Sequence, residues 1–409
     1  MTTPVEVTAC EPGLARPLRV GIVAGEFSGD QLGAALIGAL RERVPQVQCF
    51  GVAGPRMIAA GCETWAHAEE LAVMGVTEVL PHLPRLLRLR ASLIRRFLAA
   101  RPDVFIGIDA PTFNLGIARR LRNRGVRTVQ YVAPQVWAWR QGRVRKIGAA
   151  CDLVLCLLPF ETSFYGAHGV RAVFVGHPLA DQIPLEVDRA AARLVLGIEP
   201  AATVIALLPG SRVGEVERLS RDFIGAAAWL AARRPDMRFI APMATARTRE
   251  AFQRNRSQVA DSPEITVLEG QAQRALAACD AAIVASGTAT LETLLSRRPM
   301  VVAYRLGALT AFLFRRLRLL KVPYFSQPNL LIGRALVPEF VQEGVRGEAL
   351  GAALLERLTD EPYRRELSQE FESVHRQLRV GGAGRAADAV LQCVRGIESS
   401  GRAVHASVP

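Results

Sequence analysis

The sequence predicts an α/β protein in which two successive Rossmann-like domains, each built on a parallel sheet, face a cleft. Short apolar runs alternate with amphipathic segments along most of the 409 residues, a pattern typical of strands joined by helical crossovers. The pattern restarts after Pro184, and the chain is long enough for two hydrophobic cores. Turns rich in small residues follow several apolar runs, at the strand ends where such sheets bind ligands.

The N-terminal domain is predicted over residues 18–183, after a flexible tail over residues 1–17. Its strands are predicted at 18–24, 47–52, 104–108, 128–132, 152–157 and 172–175. Residues 31–43 have the apolar spacing of an amphipathic helix, which would be the first crossover between parallel strands.

The C-terminal domain is predicted over residues 184–365. Its strands are predicted at 203–207, 237–241, 265–268, 281–284 and 300–304. The remaining residues, 366–409, are predicted to form helices that return to the N-terminal domain, followed by a tail.

Composition excludes several classes of protein. Half of the residues are hydrophobic, which indicates a globular chain rather than a disordered one. The net charge of +13 suits a polyanionic partner, and the absence of a nucleic-acid-binding signature favours an anionic membrane surface over nucleic acid. Since no apolar stretch reaches the ~18–20 residues of a membrane span and no signal peptide is apparent, we expect a cytoplasmic protein that contacts a membrane from its surface.

The cysteines and histidines do not form a metal site. The seven cysteines lack a Cys-x-x-Cys pair and the six histidines do not cluster, so buried, reduced thiols are expected. The chain also contains no Asp-x-Asp motif, which could bridge a metal ion to a diphosphate. We therefore expect neither a metal nor a cofactor.

Two loops in the second half predict a nucleotide-diphosphate site. Leu-Leu-Pro-Gly-Ser-Arg at 207–212 and Ala-Ser-Gly-Thr-Ala-Thr-Leu-Glu at 285–292 each join a predicted strand to a predicted helix. Such junctions direct backbone N–H groups and a helix dipole toward an anion. Because neither loop is a Walker A or a G-x-G-x-x-G sequence, a nucleotide sugar is favoured over ATP or NAD.

Several motifs, taken in order, resemble one family. They are at 24–30, 54–57, 71–75, 106–111, 136–140, 175–181, 208–212, 285–292 and 328–331. The chain resembles the lipid-A-disaccharide synthases, which are inverting glycosyltransferases of the GT-B fold. The resemblance extends from about Val20 into the C-terminal helices.

The resemblance implies a reaction. UDP-2,3-diacylglucosamine donates its sugar to the 6-hydroxyl of 2,3-diacylglucosamine 1-phosphate, which gives a β-1,6-linked disaccharide 1-phosphate and UDP. This is a step of lipid A biosynthesis at the cytoplasmic face of the inner membrane in Gram-negative bacteria. The resemblance is also compatible with a homodimer, which nothing in the composition indicates.

Three carboxylates are candidates for the general base that inverting transfer requires. Asp109 ends a predicted strand beside a proline-containing loop, and Thr112 stands where the family commonly has a further Asp. Glu26 and Asp30 flank the Ser28–Gly29 turn that opens a helix. A helix cap is the alternative for Asp109, Asp30 or Ser28, and Ser28 is otherwise a candidate acceptor contact.

The donor site is predicted from both loops. Arg212, with Gly210 and Ser211, is the candidate diphosphate ligand. Ser286, Gly287 and Thr288 would bind phosphate, and Glu292 would accept hydrogen bonds from ribose hydroxyls. Two further residues have open alternatives: Asn329 would contact the donor or shape a turn, and His177 would contact the donor or serve as a backbone-bonded hinge residue.

Two basic apolar segments suit an anionic interface that binds acyl chains. The first combines apolar residues, with Val73, Met74, Leu83, Leu86 and Leu87 as candidate acyl or membrane contacts, with the basic residues Arg85, Arg88, Arg90, Arg95 and Arg96. The second lies at 309–325. The alternative for each is an ordinary helix that packs its apolar face inward.

Two other functions stay open at this stage. The first is a related GT-B enzyme, such as a UDP-GlcNAc transferase or a UDP-GlcNAc 2-epimerase, against which the acyl-binding segments argue. The second is a membrane-associated protein that binds UDP-sugars without catalysis, against which the presence of Asp109, Arg212 and Glu292 argues.

Overall fold

The computed structural model describes residues 16–25, 27–71, 76–139, 141–307 and 323–396, with only the backbone of residues 27, 76–82 and 139. The chain divides into two compact units. The first comprises the residues up to 136, residues 140–178 and the segment from Gly381, and the second comprises residues 137–139 and 179–380.

The first unit contains a seven-stranded parallel sheet in the order β3-β2-β1-β4-β5-β6-β7. The strands are β1 (Arg19–Ala24), β2 (Gln48–Ala53), β3 (Glu63–His67), β4 (Val104–Ile108), β5 (Arg127–Tyr131), β6 (Leu153–Cys156) and β7 (Ala172–Phe174). The helices up to residue 182 are α1 (Phe27–Arg43), α2 (Pro55–Ala59), α3 (Val76–Ala100), α4 (Pro111–Arg122), α5 (Val136–Trp139), α6 (Val144–Ala150), α7 (Pro159–Ala167) and α8 (Pro178–Gln182).

Helices cover both faces of this sheet, which explains why its strands are continuous apolar runs. On one face, Val20 and Ile22 of β1 pack in one buried cluster with Leu36 of α1. On the other, Val23 of β1 belongs to a cluster that contains Phe97 of α3. The two clusters place β1 and β4 at the centre of the first core.

The second unit contains a six-stranded parallel sheet in the order β10-β9-β8-β11-β12-β13. The strands are β8 (Thr203–Leu208), β9 (Met237–Met243), β10 (Ile265–Glu269), β11 (Ala281–Ala285), β12 (Met300–Tyr304) and β13 (Glu339–Val341). The helices are α9 (Arg189–Leu196), α10 (Val213–Arg233), α11 (Ala246–Arg256), α12 (Ala272–Ala278), α13 (Thr288–Leu295), α14 (Gln327–Ile332), α15 (Gly347–Thr359) and α16 (Glu361–Leu378).

The last described helix, α17 (Gly382–Arg395), belongs to the first unit. Its Ala386 and Val390 are fully buried in the same cluster as α1, and Arg43 of α1 pairs with Asp388. The C-terminal segment thus completes the core that the N-terminal residues begin.

The divisions between the units lie at 178/179 and 380/381, whereas the sequence predicted 183/184 and 365/366. Helix α16 remains in the second unit, where its Leu367 and Phe371 are buried and where it also forms ion pairs. Arg297 contacts Glu372 at 3.0 Å and Arg334 contacts Glu370 at 2.9 Å.

Candidate functional site

The switch point of the first sheet lies between β1 and β4, where neighbouring crossovers leave in opposite directions and a crevice opens at the carboxyl ends of the strands. Ala24 pairs with Ile108 in the register, so Gly25 and Asp109 leave neighbouring strands at the same edge. Glu26, the residue after Gly25, lies outside the described residues. The candidate base Asp109 therefore lies at the position in this sheet where a ligand is most expected.

The Asp109 carboxyl is partly buried at this edge, and burial raises its pKa, an effect that a hydrogen bond from the Ala110 N–H reduces. A raised pKa makes a carboxylate a stronger base while it stays ionised near neutral pH. The backbone is left-handed at both residues, with φ of 50° at Asp109 and 39° at Ala110. Such backbone conformations are costly for non-glycine residues and cluster at functional sites.

The Asp30 carboxylate is buried and hydrogen-bonded to the backbone. The residue is 2% exposed, and its carboxylate accepts hydrogen bonds from the N–H groups of Gly54 at 3.0 Å, Arg56 at 2.9 Å and Met57 at 3.0 Å. Three donors occupy both oxygens and cap the N-terminus of α2, so the capping alternative describes Asp30 better than the base role. Ser28, by contrast, is exposed in the first turn of α1, so its hydroxyl stays a candidate contact for the acceptor substrate.

The switch point of the second sheet lies between β8 and β11, where Leu208 pairs with Val284. The two small-residue loops predicted from the sequence therefore leave neighbouring strands at one edge. Each loop opens a helix, α10 or α13, so two helix N-termini meet at this crevice. This arrangement suits a ligand with more than one phosphate.

The first loop requires a glycine at position 210, and a glutamate of the helix that follows it accepts hydrogen bonds from the loop backbone. Gly210 has φ of 132°, and an added Cβ would lie 2.5 Å from the Glu215 Cβ. Glu215 Oε2 accepts hydrogen bonds from the N–H groups of Ser211 at 3.1 Å and Arg212 at 3.3 Å. The exposed Arg212 guanidinium donates to Glu215 Oε1 at 3.3 Å. The loop thus holds one carboxylate at the place where a phosphate was predicted.

Sequence reasoning missed Glu215, although a signal for it exists. An Arg-x-x-Glu spacing after a strand matches the reciprocal cap in which a Glu at the third helical position binds the N-cap backbone. Such a Glu competes with an incoming anion for the N–H groups of Ser211 and Arg212, which makes the Arg212 guanidinium the more important candidate ligand in this loop.

In the second loop, the serine hydroxyl is already hydrogen-bonded within the protein, which leaves the backbone as the candidate phosphate contact. Ser286 donates its N–H to Ala303 O at 2.9 Å and its hydroxyl to Phe325 O at 2.7 Å. The first intrahelical donor of α13 is Thr290, which bonds to Gly287 O, so the N–H groups of Gly287 and Thr288 precede the helical ladder. Gly287 has φ of 151°, a conformation that glycine adopts without strain.

Glu292 lies on α13, one turn beyond this loop. Burial raises the pKa of its carboxyl, and a hydrogen bond with Gln273 opposes that effect. A partly buried carboxylate is suited to accept hydrogen bonds from neutral hydroxyl groups.

Asn329 is committed to the fold of α14. It is fully buried, and its Nδ2 donates to Val337 O at 2.9 Å and Glu339 Oε1 at 2.8 Å. Its Oδ1 accepts from Leu336 N and Val337 N, both at 2.9 Å. Since all four hydrogen-bonding positions of the amide are used, the side chain has a structural role and is not available to the donor, but the residue lies in a helix rather than in the predicted turn.

His177 lies in the first unit, beside the division at 178/179. Burial lowers the pKa of its imidazole to about 4, so the ring is neutral near pH 7 and does not present a cation to a diphosphate. Within the described ranges, no group of three His, Cys, Asp or Glu side chains is placed to hold a metal ion.

The candidate acyl contacts are only partly described. Val73 and Met74 lie outside the described residues, as does most of the segment 309–325. On α3, Leu83 and Leu87 are 42% and 44% exposed and Leu86 is half-buried. Leu93 and Phe97, further along, are buried, so the helix packs its C-terminal half inward and exposes leucines just before its middle.

Two switch-point sites in two α/β units fit many sugar-nucleotide enzymes, and comparison of sequences decides among them. A family model described as lipid-A-disaccharide synthetase matches residues 20–390. This chain belongs to the lipid-A-disaccharide synthase family. Lipid-A-disaccharide synthases of Serratia proteamaculans and of Pseudomonas aeruginosa strain UCBPP-PA14 are 50% and 52% identical to it, over 93% of this chain and 99% of each relative. The resemblance inferred from the ordered motifs is thus confirmed.

Solved structures confirm the predicted GT-B fold of this synthase-family chain. A UDP-GlcNAc 2-epimerase from Neisseria meningitidis, bound to UDP-GlcNAc, has a TM-score of 0.62 at 11% identity and covers 93% of this chain and 100% of its own. The calicheamicin glycosyltransferase CalG4 has a TM-score of 0.58 at 15% identity and covers 93% and 99%. At such identities the likeness is one of fold alone. The likeness to the epimerase therefore supports the shared fold and gives no support to an epimerase activity.

Proposed function

We propose that this protein transfers 2,3-diacylglucosamine from its UDP derivative to the 6-hydroxyl of 2,3-diacylglucosamine 1-phosphate, with inversion, as a step of lipid A biosynthesis. The observation that carries this proposal is about 50% identity to lipid-A-disaccharide synthases over 93% of the chain. The two sites support it, because a partly buried carboxylate and a pair of helix N-termini are the parts that such a transfer requires.

Asp109 is the proposed general base. Inverting transfer requires removal of the proton from the attacking 6-hydroxyl as that oxygen bonds to the anomeric carbon. The Asp109 carboxylate lies at the β1/β4 switch point and has a raised pKa, whereas the Asp30 oxygens are occupied by three backbone N–H groups. Glu26, which follows Gly25 in the sequence and lies outside the described residues, remains a second proposed base.

The leaving group is proposed to bind at the β8/β11 switch point. As the bond from the anomeric carbon to the diphosphate breaks, negative charge grows on the departing UDP. Arg212, the Gly287 and Thr288 N–H groups and the dipoles of α10 and α13 would stabilise that charge. Glu292, one turn into α13, would accept hydrogen bonds from the ribose.

A direct assay tests the proposed function. Purified protein with UDP-2,3-diacylglucosamine and labelled 2,3-diacylglucosamine 1-phosphate in mixed micelles should form a labelled disaccharide phosphate and release UDP in equal amounts. The reaction should continue in EDTA, because charge neutralisation is assigned to Arg212 and the helix termini. Retained UDP binding without any product would refute the acceptor assignment and favour the non-catalytic binding protein.

We further propose that the protein is peripheral on the cytoplasmic face of the inner membrane and that α3 contacts anionic lipid around Leu83 and Leu87. None of the helices in the described ranges is both long and apolar enough to cross a membrane. Leu83 and Leu87, one helical turn apart, expose apolar surface. Arg88, which follows Leu87 and is exposed, flanks this apolar surface, as basic residues do in interfacial helices. Arg85 lies on the other side of the helix and pairs with Glu70 at 2.9 Å.

Leu83→Glu/Leu87→Glu should reduce binding to vesicles of phosphatidylethanolamine and phosphatidylglycerol by about tenfold or more, because it removes two apolar contacts and adds two negative charges. Sedimentation with the vesicles measures this binding. Binding of the unmodified protein should also weaken as salt increases.

The matched control for this experiment is Leu194→Glu/Val195→Glu. These residues of α9 are 82% and 62% exposed, so the substitution changes surface hydrophobicity and charge equally without touching α3. Equal loss of vesicle binding in the two double variants would contradict a specific role for α3.

A further inference from the structure

Three residues with left-handed backbones meet at the ends of β4 and β5. Asp109 and Ala110 follow β4, and Val132, with φ of 72°, follows β5. The strands pair up to Ile108 and Tyr131, and the Asp109 N–H continues the ladder with a 2.9 Å bond to Tyr131 O. A β-branched residue at positive φ is especially unfavourable, so something must hold these two strand ends in place.

Two buried side-chain amides contact these strand ends. Asn114 Nδ2 donates to Asp109 O at 2.9 Å and Ile108 O at 3.2 Å. Gln130 Nε2 donates to the same Asp109 O at 3.1 Å. It also approaches Tyr131 O at 3.3 Å and Val132 O at 3.4 Å. One carbonyl oxygen thus receives hydrogen bonds from an amide on α4 and an amide on β5.

Packing alone does not explain these amides. Asn114 is fully buried and Gln130 is 1% exposed, and buried polar groups are unfavourable unless they are hydrogen-bonded. Within the described residues, the buried Oδ1 of Asn114 has no hydrogen-bond partner. An apolar side chain would avoid that unpaired oxygen, so the useful part of Asn114 is the Nδ2 group that contacts the strand ends.

We propose that Asn114 and Gln130 are positioning residues that hold the Asp109–Ala110 backbone left-handed and so fix the Asp109 carboxylate at the β1/β4 switch point. The inference rests on the proposed role of Asp109 as the base. It explains why an asparagine lies in the buried face of α4 and why a glutamine interrupts the apolar run of β5.

The test compares Asn114→Leu and Gln130→Met, which keep side-chain size and remove the amide donors. Each should lower kcat by about 10- to 100-fold, as expected when a catalytic group is misplaced by about 1 Å. KM for both substrates and UDP binding should change little, because no substrate contact is removed. The acid limb of the kcat profile should also move to lower pH, because a released carboxylate becomes more hydrated and its pKa falls.

The matched controls are Asn123→Leu and Gln48→Met, the same substitutions at exposed positions at the end of α4 and the start of β2. Both should retain kcat and the pH profile. If Asn114→Leu fails to fold, as judged by thermal unfolding and UDP binding, Gln130→Met decides alone.

Each of the following results would overturn the inference, and together they separate it from the proposed function. Unchanged kcat in the folded amide variants refutes it, as does a lower kcat with an unmoved acid limb, which indicates a structural role only. Asp109→Asn that keeps full turnover refutes the base assignment itself, and the inference fails with it. If Asp109→Asn loses turnover while Asn114→Leu and Gln130→Met keep their kcat, only the positioning role is refuted.

Discussion

Asp109→Asn should lower kcat by about 100- to 10,000-fold, which is the usual contribution of a positioned general base. The substitution keeps the size of the side chain and removes the group that accepts the proton. UDP binding should be unchanged, because the donor loops lie on the second sheet and Asp109 lies on the first. Single-turnover kinetics measure the chemical step, and isothermal titration calorimetry measures UDP affinity.

The matched control is Asp103→Asn. Asp103 precedes the same strand and accepts the Arg19 N–H at 2.9 Å, so it lies at the opposite edge of the sheet. An Asn there can still accept that hydrogen bond, and turnover should persist. Equal losses in the two variants would indicate damage to β4 and would contradict a base at Asp109.

The pH dependence of the unmodified protein follows from the direction of the Asp109 shift. Because burial raises the pKa of this carboxyl, kcat/KM should fall as pH drops through that raised pKa, above the usual range for Asp. Between the ordinary pKa and the raised one, the folded state binds more protons than the unfolded state, so this group lowers stability as pH increases. Asp109→Asn removes that effect and should not lower the thermal stability near pH 7.

Much of the fold could be predicted because it depends on local pattern. The strands expected at 18–24 and 281–284 are observed at Arg19–Ala24 and Ala281–Ala285, since strands buried on both faces have continuous apolar sequences. The pattern also predicted that the two small-residue loops follow strands, as they do after β8 and β11, whereas the adjacency of these two strands is set by the order of the sheet. Local sequence therefore located the two loops, and their binding of the donor stays a proposal.

The predictions that local sequence could not settle depend on distant partners. The Asp30 carboxylate is occupied by N–H groups of residues 54–57, and the Asn329 amide is occupied by residues 336–339. Neither pairing has a periodicity that reveals it. The amides of Asn114 and Gln130 escaped notice for the same reason, since both converge on a backbone oxygen that no sequence motif identifies.

Arg212→Ala should raise the dissociation constant of UDP by about 10- to 100-fold, the loss expected for charge-assisted hydrogen bonds to a phosphate. It should also lower kcat by about 100-fold, because charge on the departing diphosphate loses its main cation. The side chain is 66% exposed and pairs with Glu215, and such surface pairs contribute only about 0–1 kcal/mol. The guanidinium can therefore turn toward a phosphate at little cost.

Arg234→Ala is the matched control for Arg212. Arg234 is an exposed arginine of the same unit that pairs with a nearby carboxylate, Asp236, at 2.8 Å, so its loss removes an equal charge and a similar ion pair. UDP affinity should stay unchanged there, and Arg212→Lys should restore affinity only in part, because an ammonium lacks the bidentate fork. If Arg212→Ala and Arg234→Ala weaken UDP binding equally, the effect is one of net charge, and the phosphate must bind through the helix termini without Arg212.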